Sequence, residues 1–293
     1  MAFSVNTNVG AMAALQSLNA TNRGMATTQS RINTGLNVAS TKDDSAKYVI
    51  AQTLRGDLGK LSAVTSSLTN AKSVTDTAVA GAEQVSDILN QMKSKALEAS
   101  DKGLDKESRT AISKDLVALK NQINTIIDGS DFNGTNLLKG PAATGGKVSA
   151  LQSIATGATT LDVANQDLTA ASTTALEVGG TNVEIDKLAL TDDGTANTGS
   201  GAASALATKL DAMFATVKTS LSTLGSASRQ IDGQLSFNSK LTDVVTAGIG
   251  NLVDADLAKE SAKLQALQVQ QQLGVQALGI ANQAPQTILS LFR

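Results

Sequence analysis

The chain has no cysteine and no histidine. Without cysteine there are no disulfides, and the usual signature of an oxidising compartment is missing. That fits the cytosol, or export by a machine that threads unfolded chain. Without either residue the usual general base, the thiol nucleophile and the commonest transition-metal ligands are gone. No catalytic, cofactor-binding or metal-ligating residues are assigned, and none of those functions is expected. Tryptophan is absent too, with five Phe and one Tyr among 293 residues. A thick globular core uses more aromatic area than that. Ala, Val, Leu and Ile instead suit thin helix–helix seams. Proline occurs twice, at Pro141 and Pro285.

Charge is missing in two places. Met1 to Asn22 carries no charged residue, and neither does Leu264 to Phe292. Both stretches are rich in Gln, Asn, Ser and Thr. Such segments are weakly driven to fold alone in water. They fit a crowded interior where amides find partners and charges would not be hydrated. Net charge is −2, with no basic run among aromatics, so nucleic acid is not an expected partner. No basic-then-apolar leader opens the chain. No apolar run reaches about 18 residues, so no membrane partner is expected.

What is present is helical periodicity. Between Asp44 and Ala99, Leu54, Leu58, Leu61, Leu68, Ala71, Ala78, Ala82, Val85, Leu89, Met92 and Ala96 recur in threes, fours and sevens. A second helix is predicted over Asp105–Ile127, and a third, of similar length to the first, over Ala203–Leu252. The two long ones could lie antiparallel. The fold class is therefore mainly α: an elongated antiparallel helical coiled-coil rod with a small β-hairpin region. Gly, Thr and Asp crowd Phe132–Gly201. There Leu176–Val178 and Val183–Ile185 around Gly179-Gly180 predict a hairpin, and Thr160–Val163 another strand. This middle is expected on the surface. Asp192-Asp193-Gly194 lacks the carboxylate spacing of a calcium loop and reads as a polar turn.

Heptad spacing marks both ends. Ala11, Leu18, Met25 and Ile32 are seven apart, with Leu15 beside them. Leu257, Leu264 and Leu278 keep one register, with Leu267 adjacent. With Leu289, Leu291 and Phe292 these are the candidate self-assembly residues. The expected division is 1–43 with 254–293 as terminal assembly segments, 44–140 with 203–253 as a helical rod, and 141–202 as a small β/loop variable region.

Several separated motifs then resemble one family. Val5-Asn6-Thr7-Asn8, Arg31-Ile32-Asn33-Thr34-Gly35-Leu36 with Lys42-Asp43-Asp44, and Asp131-Phe132-Asn133-Gly134-Thr135-Asn136-Leu137-Leu138 are similar to stretches of bacterial flagellins. So are Asp254-Ala255-Asp256, Ala281–Gln286 and Leu289–Arg293. The resemblance covers about 1–140 and 203–293. Ala39-Ser40-Thr41 and Ser45-Ala46-Lys47 depart from the common pattern.

The resemblance implies a filament subunit that polymerises with itself into a helical homopolymer, in some cases together with other flagellins. It further implies an export chaperone, the export apparatus, a filament cap and hook-associated proteins as partners. Export without a cleavable signal peptide and an extracellular filament follow. It places an innate-receptor surface at Gln91, Lys95 and Asp115, where strongly recognised members carry Arg, Leu and Glu. Weak recognition is therefore expected. A hook–filament junction protein shares the terminal helices and stays open as the alternative. A cytoplasmic coiled-coil scaffold would explain the stripes but not the uncharged ends. The peptidase of some family members needs histidines that this chain lacks.

Overall fold

The computed structural model describes residues 8–140, 147–154, 160–169, 183–189 and 198–291, with backbone alone at 183, 184, 189 and 284–291. In chain order the elements are α1 (Val9–Thr34), α2 (Ser45–Ala99), α3 (Lys106–Gly129), β1 (Asp131–Phe132), β2 (Thr135–Asn136), β3 (Val148–Leu151) and β4 (Thr160–Val163). One helical turn, α4 (Val183–Asp186), runs into a 3-10 turn at Lys187–Ala189. α5 (Gly199–Val253) and α6 (Leu257–Leu291) close the chain. α2 and α5 are both 55 residues long. Neither contains proline, so nothing in them breaks the i→i−4 ladder. The fold is mainly α, as the periodicity predicts. The described chain divides into two compact units, residues 1–58 with 242–293 and residues 59–241.

The second unit, 59–241, holds the larger core. Leu68, Ala71, Ala78, Ala82, Val85, Leu89, Met92 and Ala96 of α2 meet Leu206, Leu210, Met213, Val217, Leu224 and Ile231 of α5, all at most 2% exposed. Small residues on α2 opposite leucines let the two backbones approach closely. The helices run antiparallel, as their ion pairs show. Lys72 Nζ lies 2.8 Å from Asp232 Oδ1, and Lys93 pairs with Asp211. These exposed pairs add little stability. Asn238 does more to specify the pairing. It is 3% exposed and donates from Nδ2 to Leu61 O at 2.9 Å and to Thr65 Oγ1. A buried amide that loses its partners on any slide disfavours other registers.

α3 returns along α2 after a tight turn. Asp105 caps it by accepting Ser108 N–H at 3.1 Å. Arg109, 3% exposed, donates Nε–H to Ala99 O at 3.2 Å and Nη2–H to Asp101 O at 2.8 Å. A fixed cation thus satisfies carbonyls at the end of α2. Arg109→Met is expected to cost about 2 kcal/mol, since charge-assisted bonds are lost and buried carbonyls stay dry. Urea unfolding of the full chain measures it, and an unchanged midpoint would count against this clamp.

The turn after α3 explains the Asp131–Leu138 motif. β1 and β2 pair antiparallel through Asn133 (φ 52) and Gly134 (φ 77), the left-handed pair that a tight hairpin requires. Asn136 donates Nδ2–H to Ile127 O at 2.7 Å, and its Oδ1 accepts from Leu138 and Lys139 N–H at 2.8 and 3.0 Å. That side chain turns Leu137 and Leu138 into the core, where both are fully buried.

The middle of the chain meets expectation at one strand and differs from it at the predicted hairpin. Thr160–Val163 is a strand, and it pairs antiparallel with Val148–Leu151. The predicted hairpin over Leu176–Ile185 is not formed at its second arm, because Val183–Asp186 is a helical turn. Its first arm and the Asp192-Asp193-Gly194 turn lie outside the described residues. The described pieces keep one face at the surface, with Ser149, Leu151, Thr160 and Asp162 exposed, while the other face packs inward. Ala150, Leu161, Val163, Leu168, Ile185 and Leu188 all join the core of the second unit. Backbone polar groups carry them there: Ser113 Oγ donates to Ile185 O at 3.1 Å, and Gln234 Nε2 donates to Gln152 O at 2.7 Å.

Candidate self-assembly interface

The first unit is built on α1, α6, and the parts of α2 and α5 that lie within 1–58 and 242–293. Asn8 caps α1, its Oδ1 accepting Ala11 N–H at 3.0 Å, and Gly35 ends it in the left-handed conformation at φ 71. Leu36 then bridges Asp254. Val253 O accepts N–H from Asn37 and Val38 at 2.7 and 3.2 Å, and Gly35 O accepts from Ala255 N–H at 2.9 Å. Two connectors are thereby laid side by side above a small core of Val38, Ala51, Ile249 and Val253.

The acidic motifs have separate duties here. Asp43 Oδ2 accepts from Ala39 and Ser40 N–H and from Ser40 Oγ, which holds its carboxyl below the usual range. Asp44 Oδ1 accepts Ala46 and Lys47 N–H at 3.1 Å each, so it caps α2. Asp256 does the same for α6 at Ala258 and Lys259 N–H, 3.0 and 3.1 Å. Ser40 thus supplies two of the three bonds to Asp43.

α1 and α6 pack antiparallel. Asn8 Nδ2 donates to Ala281 O at 2.7 Å, Gln271 Nε2 to Asn22 Oδ1 at 2.9 Å, and Arg31 Nη1 to Glu260 Oε1 at 3.2 Å. The covered residues are Ala11, Ala14, Leu18, Thr21, Met25, Thr28 and Ile32 on α1. On α6 they are Glu260, Leu264, Leu267, Gln271, Gly274, Leu278 and Ala281. Both sets step by three and four, the seam of a coiled coil. Glycines serve as holes: a Cβ on Gly274 would stand 3.3 Å from Leu18 Cδ1, and one on Gly24 would stand 3.5 Å from Leu267 Cδ2.

The seam includes Leu18, Met25, Ile32, Leu264, Leu267 and Leu278 of the sequence candidates. It excludes Leu15 and Leu257, which are about half exposed at 49% and 50%. Leu257 opens α6 opposite the end of α1, where Gly35 has already turned the chain away. Leu289 and Leu291 belong to the α6 backbone. Their side chains, and Phe292 altogether, lie outside what is described. The polar members Thr28, Glu260 and Gln271 do not show in an apolar stripe. Their heptad spacing from Thr21, Leu267 and Leu278 was the available signal.

This seam buries little. Thr28 is the one buried residue of α1. Val9 is 76% exposed and Ile280 71%, and Met12, Val269, Leu273 and Val275 each show more than half their surface. Apolar area of this kind, on the uncharged stretches of the two helices, needs a partner to leave water.

In the second unit, α2 and α3 bring Gln91, Lys95 and Asp115 together along one groove with Glu98 and Leu119. Lys95 Nζ lies 3.1 Å from Asp115 Oδ2. Among the described residues there is no group of metal-ligating side chains, and no helix is long and apolar enough to cross a membrane.

Comparison with known proteins decides the family. The N-terminal helical region of bacterial flagellins matches residues 5–143, and their C-terminal helical region matches 207–292. The chain belongs to the bacterial flagellins. It is similar to flagellin FljK of Caulobacter vibrioides, 41% identical over 99% of this chain and 98% of that one. It is likewise similar to flagellin C of Rhizobium meliloti, 36% identical over 99% of both. Matching such relatives end to end makes it a short flagellin.

A hook-associated protein from Vibrio parahaemolyticus shares the fold at a TM-score of 0.57. That match is 19% identical and covers 72% of this chain and all of that one. At that identity the likeness concerns architecture alone. The two family matches and the named flagellin relatives favour flagellin over the hook–filament junction reading. This flagellin is a structural subunit of the bacterial flagellar filament, which lies outside the cell.

Proposed function

We propose that polymerisation completes the fold of the first unit. Residues 1–43 with 254–293 pack against the same segments of neighbouring copies as the inner tube. Residues 44–140 with 203–253 make up the helical rod domain, and 141–202 the variable part. Leu15 and Leu257, which the seam leaves half exposed, then meet other copies. The observation that carries this reading is the pair of charge-free stretches, up to Asn22 in α1 and from Leu264 in α6, that leave Val9, Met12, Leu273 and Ile280 in water.

The subunit passes through the flagellar export apparatus with a chaperone. It joins the filament beneath a cap, beyond the hook-associated proteins and alongside any other flagellins that the cell makes. It has no enzymatic role. Circular dichroism before and after seeding with filament fragments tests the core of this proposal. Helical signal rises on polymerisation, and an identical spectrum in monomer and filament would sink it.

The groove at Gln91, Lys95 and Asp115 presents an innate receptor with a weak surface. Gln91 lacks the bidentate fork of an arginine, and Lys95 is engaged by Asp115. A reporter-cell assay with purified monomer should read well below a strongly recognised flagellin. Equal activation would refute that.

A further inference from the structure

Asn133-Gly134 is the one Asn-Gly dipeptide in the sequence. Its chemistry is independent of filament formation. Glycine leaves its own backbone nitrogen unhindered, so that nitrogen can attack the preceding side-chain amide. A bond forms between Gly134 N and Asn133 Cγ, the Cγ–Nδ2 bond breaks, and ammonia leaves. Water then opens the cyclic imide to aspartate or isoaspartate. In isoaspartate the main chain runs through the side-chain carbon and is one atom longer.

Both residues are exposed, so water and base reach them. Two features of the fold oppose the attack. Gly134 N–H is donated to Asp131 Oδ1 at 3.1 Å. The nitrogen must lose that hydrogen before it can act, and the bond holds it in place. The second feature is the turn itself. Closing the imide ring requires the left-handed Asn133 backbone to be abandoned. That breaks the Asp131↔Asn136 and Phe132↔Thr135 pairs and pulls on Asn136, which holds Leu138 in the core.

We propose that Asn133 is a latent site of spontaneous deamidation, and that Asp131, by holding the Gly134 N–H, keeps it closed while the second unit is folded. The lengthened chain of an isoaspartate at 133 would not fit the two-residue turn, so an altered subunit loses the anchor of Leu137 and Leu138.

The test ages the full chain in warm, mildly alkaline buffer and maps aspartate and isoaspartate at 133 by mass spectrometry. Wild type, Asp131→Ala and Asp131→Asn are compared, each folded and in urea. In urea all three lose the amide rapidly. Folded wild type is much slower than unfolded wild type. Asp131→Ala ages about two- to tenfold faster than folded wild type, the range that one hydrogen bond supports. Asp131→Asn keeps an oxygen acceptor and stays close to wild type. Equal rates in folded and unfolded wild type would overturn the proposal. So would an Asp131→Ala that ages at the wild-type rate, or an Asp131→Asn as fast as Asp131→Ala. Should Asp131→Ala fail to fold, hydrogen exchange at Gly134 decides. Protection in wild type and Asp131→Asn supports the guard, and free exchange in wild type overturns it.

Discussion

Deleting Leu264–Arg293 yields a chain that forms no filaments yet keeps a cooperative second unit. The deletion removes the α6 half of the seam from Leu264 onward. Leu18 loses Gly274, Gly24 loses Leu267, Asn22 loses Gln271, and Asn8 loses Ala281 O. α1 is then a lone 26-residue helix, uncharged up to Asn22. Such a helix is marginal in water without an apolar face to bury. Nothing between residues 59 and 241 is touched, and the core of that unit is complete within those limits. Electron microscopy after seeding should therefore show no filaments from the truncated chain. Its circular dichroism should lose the signal of the terminal helices, while the urea midpoint of the remaining transition matches the full chain. Normal filaments from the truncation would remove the terminal helices from the mechanism. A collapsed midpoint would show that the two units do not stand apart energetically.

Much of this architecture is legible in the sequence, and the reason is length. Over 55 residues the α2 stripe repeats often enough that single exceptions such as Gly56 and Gly59 do not hide it. The heptads of α1 are equally plain, because Leu18, Met25 and Ile32 are large residues among small ones. Asn133-Gly134 marks its turn because few other residues tolerate two consecutive left-handed positions.

The failures have physical causes as well. β3, which has no counterpart in the sequence reading, is four residues long, too short for a period to stand out from Ser, Thr and Gly around it. Val183–Ile185 alternates as a strand would, but Ile185 and Leu188, three apart, are both fully buried, which suits a helical turn lying on α3. Local propensity lost there to tertiary packing. The seam between α1 and α6 was half visible. Leu264 and Leu278 announce it, whereas Glu260, Gln271 and Gly274 sit on the same register without looking like core. Charge on Arg31 and Glu260 reads as surface in the sequence. In the fold their pair sits at the connector end of the seam, with Glu260 8% exposed.

Gly81→Ala is expected to destabilise the second unit by about 1–3 kcal/mol, the usual range for overpacking. By helix propensity alone the substitution should help, since alanine is favoured over glycine by about 1 kcal/mol. Packing decides the sign. A Cβ at Gly81 would stand 2.1 Å from Ser130 Oγ, 3.0 Å from Ser130 Cβ and 2.9 Å from Leu138 Cδ1. Ser130 cannot swing aside cheaply, because its hydroxyl donates to Ile126 O at 2.7 Å and its N–H to Ile127 O at 3.3 Å. Leu138 is fully buried and held through its N–H by Asn136. The missing side chain on α2 is therefore the space into which the turn after α3 fits. Gly59, on the same helix, has nothing within 4 Å of an added Cβ and is exposed. Gly59→Ala should stabilise by up to about 1 kcal/mol. One substitution thus has opposite signs at two places in one helix, and urea midpoints of the two variants read it directly. If Gly81→Ala raised the midpoint as Gly59→Ala does, the close approach of the turn to α2 would be wrong, and with it the account of how Leu137 and Leu138 are seated.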